Sequence, residues 1–322
     1  FKEKIGIARL LGNLQADVIE LPAIENGRTD VLLVKTIASF VKHSVLSVET
    51  GGTAEGVAAA AAALESAVHP RMRVSLPVSA VGMEYGYHKK PAKMLDLIGA
   101  VVAAAKEKCP DVEFCAVDAT RADDGYLAQA LQAAMNAGAS TVTICDDEGV
   151  MLPDDFGAFV AQTVREAEVP ETVRVGVMCR NPNGLAAANA VLAVRFGAQL
   201  VKTAVDGEIT DLDTFATIVR NCGDNTGLAC GLRVTELKRT VQQIRWISGA
   251  TAEVRASAVT AAPEVHLDAH DDPSAVRAAV RTLGYDLSEE DDAKVYEAFR
   301  RVAEKKTVGA KELEAIVAST AM

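Results

Sequence analysis

The chain places its polar chemistry at the ends of apolar runs. Seven Val/Ile-rich stretches, "DVIELPAI", "SVLSVET", "MRVSLPVS", "VEFCAVDA", "STVTICDD", "VRVGVMCR" and "QLVKTAV", end in or lead to a set of polar groups. These are Glu20, Glu49, Ser79, Asp118 with Thr120 and Arg121, Asp146 with Asp147 and Glu148, the segment Met178 to Asn183, and Lys202 with Thr203 and Asp206. Carboxylates can accept a proton from a reacting carbon, and a guanidinium can hold a carboxylate through two parallel hydrogen bonds. Asp118 and Arg121 therefore read either as a site for a small acid or as a structural ion pair. Asn181 and Asn183, ahead of "GLAAANAVLAV", read either as an anion-facing loop or as a plain helix cap. No histidine joins the set at the strand ends.

The elements that must position these groups follow from the spacing. The apolar runs begin at residues 17, 44, 72, 112, 140, 173 and 199, with helical patterns between them, which is the repeat of a TIM (β/α)₈ barrel. The runs read as continuous rather than alternating, as parallel strands buried on both faces should. In such a barrel functional groups sit at the carboxyl ends of the strands, where this set lies. A helix, "KEKIGIARLLGNLQ", precedes the first run, so a first strand is expected ahead of Phe1 and the seven visible strands should leave a gap between "DVIELPAI" and "QLVKTAV". An open doubly wound sheet is the competing fold, weakened because no GxGxxG follows a strand.

The pattern changes near residue 248, giving a barrel over 1–248 and a small helical C-terminal subdomain over 249–322. "GATAEVRASAVTAAPEVHLDAHDDPSA" is helix-poor, and two or three amphipathic helices follow it, with Gly284 ending the first and Ser288 capping the next. Their apolar faces (Val276, Val280, Leu283; Val295, Phe299, Val302) should pack on the barrel or on a second chain.

The 322 residues are 49% hydrophobic and carry a net charge of −11, which disfavours nucleic acid and acidic membrane surfaces and leaves a small molecule or another protein as partner. Six cysteines without a CxxC pair suit buried thiols in a reducing cytoplasm. No apolar run reaches the roughly 18 to 20 residues of a membrane span.

Several longer segments carry a family resemblance: "FKEKIGIARLLGNLQADVIE", "GMEYGYHKKP", "VEFCAVDATRAD", "NAGASTVTICDDEGVMLPDDFG", "NPNGLAAANAVLAVRFGAQLVKTAVDG" and "LGYDLSEEDDAKVYEAFRRVAEKK". Together they resemble the 2-isopropylmalate synthase and homocitrate synthase family, HMG-CoA-lyase-like TIM barrels, over nearly the whole chain. The resemblance implies an acyltransferase that condenses acetyl-CoA with a 2-oxo acid in a Claisen-type reaction, with Mg²⁺ or Mn²⁺ polarising the ketone. It also implies a dimer, formed with a second copy or with a homologous subunit.

The family holds its metal with an aspartate on the first strand and two histidines of an H-x-H motif. In this chain the motif reads Met178-Cys179-Arg180. A thioether and a guanidinium are not ligands for Mg²⁺ or Mn²⁺, so no metal is expected from this chain and the family's site reads as degenerate. Other family positions hold Val117, Arg73 and Ala204, and the family's glycine-rich loop has become "EITDLDT". Glu20, Ser79, Asp118, Thr120, Arg121, Asp146, Gly149, Asn181, Asn189 and His270 remain. The candidate catalytic residues are accordingly Asp118, Arg121 and His270, and the candidate substrate- or anion-binding residues Arg73, Ser79, Thr120, Arg121, Asp146, Arg180 and Asn181.

Arg73 and Arg180 could mimic a lost cation toward a dicarboxylate or a CoA phosphate, or pair with Asp118, Asp146 or Glu20. Cys179 is either a nucleophile activated beside Arg180 or a family cysteine kept in its slot. His270, among Asp268, Asp271 and Asp272, is either a ligand or part of a solvated turn. Two functions stay open: an acyl-CoA and 2-oxo-acid enzyme with a rebuilt centre, or a non-catalytic paralogue that binds a metabolite or partners a catalytic homologue. Overall similarity favours the first and the site residues the second, so the chain alone is expected to release no CoA from acetyl-CoA with any common 2-oxo acid.

Overall fold

The computed structural model describes residues 1–123, 125–249 and 265–320. They divide into two compact units, Phe1–Gly231 and Leu232–Met322.

The first unit is a curled sheet of seven parallel strands in sequence order: β1 (Val18–Leu21), β2 (Val45–Glu49), β3 (Pro70–Pro77), β4 (Val112–Val117), β5 (Thr141–Asp146), β6 (Arg174–Cys179) and β7 (Leu200–Val201). Helices connect them in TIM-barrel fashion: α1 (Lys2–Asn13) before β1, then α2 (Arg28–Phe40), α3 (Ala54–Leu64), α4 (Pro91–Lys108), α5 (Tyr126–Asn136), α6 (Pro153–Glu166), α7 (Ala186–Arg195) and α8 (Leu212–Thr226). Local chemistry starts them: Thr53 Oγ1 accepts the Gly56 N–H at 3.1 Å to cap α3, and prolines that need no N–H partner open α4 and α6. Among the described residues no helix is long and apolar enough to cross a membrane.

The two faces of the sheet differ in kind. Leu46, Val48, Met72, Val74, Leu76, Phe114, Ala116, Val142, Ile144 and Val177 are almost completely buried in one core with helix residues such as Ile37, Ile98 and Leu131. Strand registers put Glu20 beside Ser47, Ser47 beside Arg71, Glu49 beside Arg73, Arg73 beside Glu113, and Glu113 beside Thr141, all on the opposite, inner face. Barrel interiors are ordinarily layered with branched aliphatic side chains. Here the strands alternate apolar and polar, contrary to the continuous runs expected, and the inner charges pair with one another.

The sheet is open between β1 and β7, as the seven-strand reading requires, and the Lys202 ammonium reaches across this seam to Glu20.

The division between the units falls at Gly231, ahead of the boundary at 248 expected from the sequence. The reason is α9 (Leu237–Ser248), whose Arg239 lies 5.0 Å over the Tyr285 ring, while the turn before it is tied down by the Asp286 N–H donating to the Thr235 carbonyl at 3.0 Å. Most of the stretch read as helix-poor, residues 250–264, lies outside the described residues.

Three further helices follow, Pro273–Thr282, Glu289–Ala303 and Ala310–Thr320, and Ser288 caps the second by accepting the Asp291 N–H at 3.1 Å. Their apolar faces were expected to need the barrel or a second chain. Val276, Val280, Val295 and Phe299 instead bury themselves inside this unit against Leu313, Ile316 and Val317 of the last helix, which supplies the missing surface.

Candidate functional site

Three groups of polar side chains stand out, one within the inner face of the sheet and two at the carboxyl ends of the strands. The innermost is an ion-paired chain across β1 to β4 and the end of β7. Glu20 on β1 faces Arg73 Nη1 through Oε2 at 2.9 Å and Lys202 Nζ through Oε1. The Arg73 Nε–H donates to Glu49 Oε2 at 2.9 Å, and the same carboxylate accepts the Ser75 hydroxyl at 2.6 Å and the Gly51 N–H at 2.9 Å. Lys202 also faces Glu113 Oε1 at 2.8 Å, and Thr143 donates to that oxygen at 2.6 Å.

Burial alone would raise the Glu113 carboxyl, but the Lys202 ammonium and the Thr143 hydroxyl outweigh it and push the group down to about 2. Burial works against the Lys202 and Arg73 charges too, and the surrounding carboxylates reverse it, so both stay protonated. The side chains of Arg73 and Lys202 are 13% and 15% exposed and that of Glu20 34%, so Glu20 is the member that meets solvent.

The second group is the corner after β4 and β5. Asp118 takes a left-handed backbone (φ 60°), fixed by its N–H donating to Asp147 Oδ2 at 2.6 Å. Its carboxylate receives Arg121 through two bonds, 2.8 and 2.7 Å, and Arg121 also reaches Glu148 at 3.1 Å. Thr120 donates to Asp146 Oδ1 at 2.9 Å, and Gly149 gives the same oxygen its N–H at 3.1 Å. Asp146 Oδ2 is buried without a hydrogen-bond partner. Ser79 is buried beside this corner, paired through its backbone with Ala122, and its Oγ accepts the Gly82 N–H at 3.1 Å. The Asp147 carboxyl is raised by its burial and by the neighbouring Asp118 and Asp146 carboxylates.

The third group follows β6. Arg180 is exposed, pairs with Glu208 at 3.0 Å and bridges through its backbone to Ile209, while Thr210 N–H donates to the Cys179 carbonyl at 3.0 Å. The segment "EITDLDT" therefore folds over the end of β6. Asn181 Oδ1 accepts the Ala186 N–H at 3.2 Å at the start of α7, the capping role its position suggested. Cys179 is fully buried and its thiol is pushed up to about 12 by desolvation and by the Asp146 carboxylate, so it is no activated nucleophile.

Of the expected site residues, the fold brings together Asp118, Thr120, Arg121 and Asp146, with Ser79 alongside. It puts Arg73 with Glu20 in the inner chain and Arg180 with Asn181 at the rim. His270 belongs to the second unit, where it is exposed and its Nδ1 lies 3.1 Å from Asp268 Oδ1. Arg73 faces Glu20 and Arg121 faces Asp118, as the ion-pair alternative has it, whereas Arg180 pairs with Glu208, a partner not expected from the sequence.

Glu113 and Arg71 were missed, and Lys202 was seen only as a strand-end residue. The signal was present as charged residues at alternate positions within the strands "VIEL", "RMRVSLP" and "VEFCAV".

The family's metal does not fit these residues. The motif positions hold Met178 and a paired Arg180, and the inner carboxylates Glu20, Glu49 and Glu113 already face side-chain cations. Among the described residues no three His, Cys, Asp or Glu side chains are grouped to hold a metal ion.

Residues 1–241 match the HMGL-like family. The chain is 28% identical to a 2-isopropylmalate synthase of Syntrophus aciditrophicus, over 98% of its length and 68% of that protein's. It is 34% identical to a 2-isopropylmalate synthase of Clostridium kluyveri over 64% of its length, spanning only 40% of that protein. Its fold is similar to hydroxymethylglutaryl-CoA lyase from Pseudomonas aeruginosa, with a TM-score of 0.63 at 15% identity over 81% of this chain and 91% of that one. The HMG-CoA lyase from Brucella melitensis matches with a TM-score of 0.61 at 14% identity, over 77% of this chain and 90% of that one.

Proposed function

Because this chain belongs to the HMGL-like family, we propose that it forms a carbon–carbon bond between an acyl-CoA and a 2-oxo acid at the carboxyl end of its barrel. The observation that carries this reading is the setting of Glu20, a partly exposed carboxylate at the end of β1 with a side-chain cation on each oxygen.

In such a condensation a base removes a proton from the carbon beside the thioester, and negative charge moves first to the thioester oxygen and then to the ketone oxygen as the new bond forms; the alkoxide takes up a proton, and water then attacks the thioester carbonyl of the product, breaking the C–S bond so that CoA leaves as its thiol and a second carboxylate forms. Glu20 accepts the proton. Lys202 and Arg73 supply fixed positive charge next to it, already oriented by Glu113 and Glu49, so little reorganisation is needed as charge develops. Arg121, nearly half exposed, is the group that takes the carboxylate of the oxo acid, exchanging Glu148 for it while Asp118 keeps the guanidinium in place. No step runs through a metal.

The test is CoA release from acetyl-CoA over a panel of 2-oxo acids, followed with a thiol reagent. Release with at least one acid is expected. Silence over the whole panel would overturn the reading in favour of a non-catalytic paralogue.

A further inference from the structure

The ion-paired interior leaves some of its polar atoms unmatched. Among the described residues, Ser47 Oγ, Arg73 Nη1 and Glu113 Oε2 are buried without a hydrogen-bond partner, and all three belong to the inner face of the sheet. Ser47 is 0% and Glu113 2% exposed. Arg73 Nη1 lies 2.9 Å from Glu20 Oε2, but that contact is not aligned as a hydrogen bond. Glu113 commits its Oε1 to Lys202 at 2.8 Å and Thr143 at 2.6 Å, while the cation facing its Oε2 is Arg71 Nη1, at 3.8 Å. This separation is too long for a direct hydrogen bond. Arg71, 3% exposed, turns its Nε–H to Asp111 at 2.9 Å instead.

The registers bring these groups together. Ser47 pairs with Arg71 across β2 and β3, and Arg73 with Glu113 across β3 and β4, so a hydroxyl, two guanidiniums and a carboxylate share one stretch of the interior. Leaving a polar atom unmatched at this depth costs its whole desolvation, and a bridging molecule removes that cost where two groups stand too far apart to bond. The donor set selects the molecule. Arg71 and Arg73 only donate, the ionised Glu113 only accepts, and Ser47 does either. A halide would face the carboxylate, and a metal cation would face two guanidiniums. Glu20, Glu49 and Glu113 also match Arg71, Arg73 and Lys202 charge for charge, so the interior calls for no ion. Water is neutral, donates and accepts, and when buried typically makes about three hydrogen bonds.

We propose that the barrel interior binds a structural water among Ser47, Arg71, Arg73 and Glu113, which donates to Glu113 Oε2 and accepts from a guanidinium. It completes the bonding of the carboxylate that holds Lys202 beside Glu20. The site depends on the fold alone and stands or falls apart from the acyl-CoA reading.

A high-resolution crystal structure of the intact chain, grown with bromide as the only halide, tests it. A density peak within about 3 Å of Glu113 Oε2 and Arg71 Nη1, without anomalous signal at the bromine edge, is expected. In solution, water oxygen-17 relaxation dispersion should count one long-lived internal water fewer in Ser47→Val, which withdraws a hydroxyl partner and puts methyl groups toward the site. Should that variant fail to fold, the crystal of the wild type still decides. A bromide signal at the position would overturn water in favour of an anion. Glu113 Oε2 in direct hydrogen-bond contact with Arg71, with no density between them, would overturn the site, as would equal counts in wild type and a folded Ser47→Val.

Discussion

Lys202 at the end of β7 and Glu20 on β1 form an ion pair across the open seam of the sheet, joining the two edge strands through side chains where no backbone ladder does. The same ammonium faces Glu113 on β4, so one cation ties three strands through the barrel interior.

Removing that cation leaves the buried Glu113 with Arg71 Nη1, at 3.8 Å, as its remaining cation. Lys202→Met should cost about 3 kcal/mol at neutral pH, measured by urea unfolding. The pH response should invert as well. With its carboxyl pushed down to about 2, Glu113 contributes stability above its unfolded value of about 4.3 that is lost as pH falls through about 2. Without Lys202 its burial raises the group, and the variant should gain stability relative to wild type on acidification from neutral pH. Adding Glu113→Gln should recover much of the loss. A Lys202→Met protein as stable as wild type at pH 7 would show that the pair does not hold the interior.

Gly149 marks the contact between the β5 and β6 ends. Its φ is 64°, and a Cβ there would lie 2.6 Å from Pro182 Cδ and 2.7 Å from the Arg180 carbonyl oxygen. Gly149→Ala should destabilise by roughly 1–3 kcal/mol and weaken the N–H bond to Asp146, read as a lower Tm. An unchanged Tm would mean that the loop has room to move.

Much of the architecture was legible before the structure. The spacing of apolar runs, the seven strands and the open seam all follow from local periodicity, which survives in the fold. The interior was not legible because an alternating charge inside a strand has meaning only once the neighbouring register is known. Arg73 sits beside Glu49 and Glu113 through pairings between residues 24 and 40 apart. Arg180 illustrates the same limit, since its partner Glu208 arrives from the loop after the next strand. The partner of the tail helices' apolar faces was not legible either, because it is the face of Ala310–Thr320, which meets them only once the unit is folded.

Thiol chemistry separates the cysteines. Cys222 is exposed, whereas Cys109, Cys115, Cys145 and Cys179 are buried, with Cys179 pushed up to about 12. Alkylation of the native protein at pH 8, mapped by mass spectrometry, should label Cys222 and spare these four until the chain is unfolded. Rapid labelling of Cys179 would restore it as a nucleophile.

The central claim is that side-chain cations around Glu20 do the work assigned to a divalent ion in the family. CoA release in the presence of excess chelator, compared between wild type and Glu20→Gln, tests it most directly. Turnover by wild type should persist without metal and fall by about 10² to 10⁴ in the variant, the range expected for loss of a general base. Turnover that disappears with the chelator and returns with Mn²⁺ or Mg²⁺ would contradict the account.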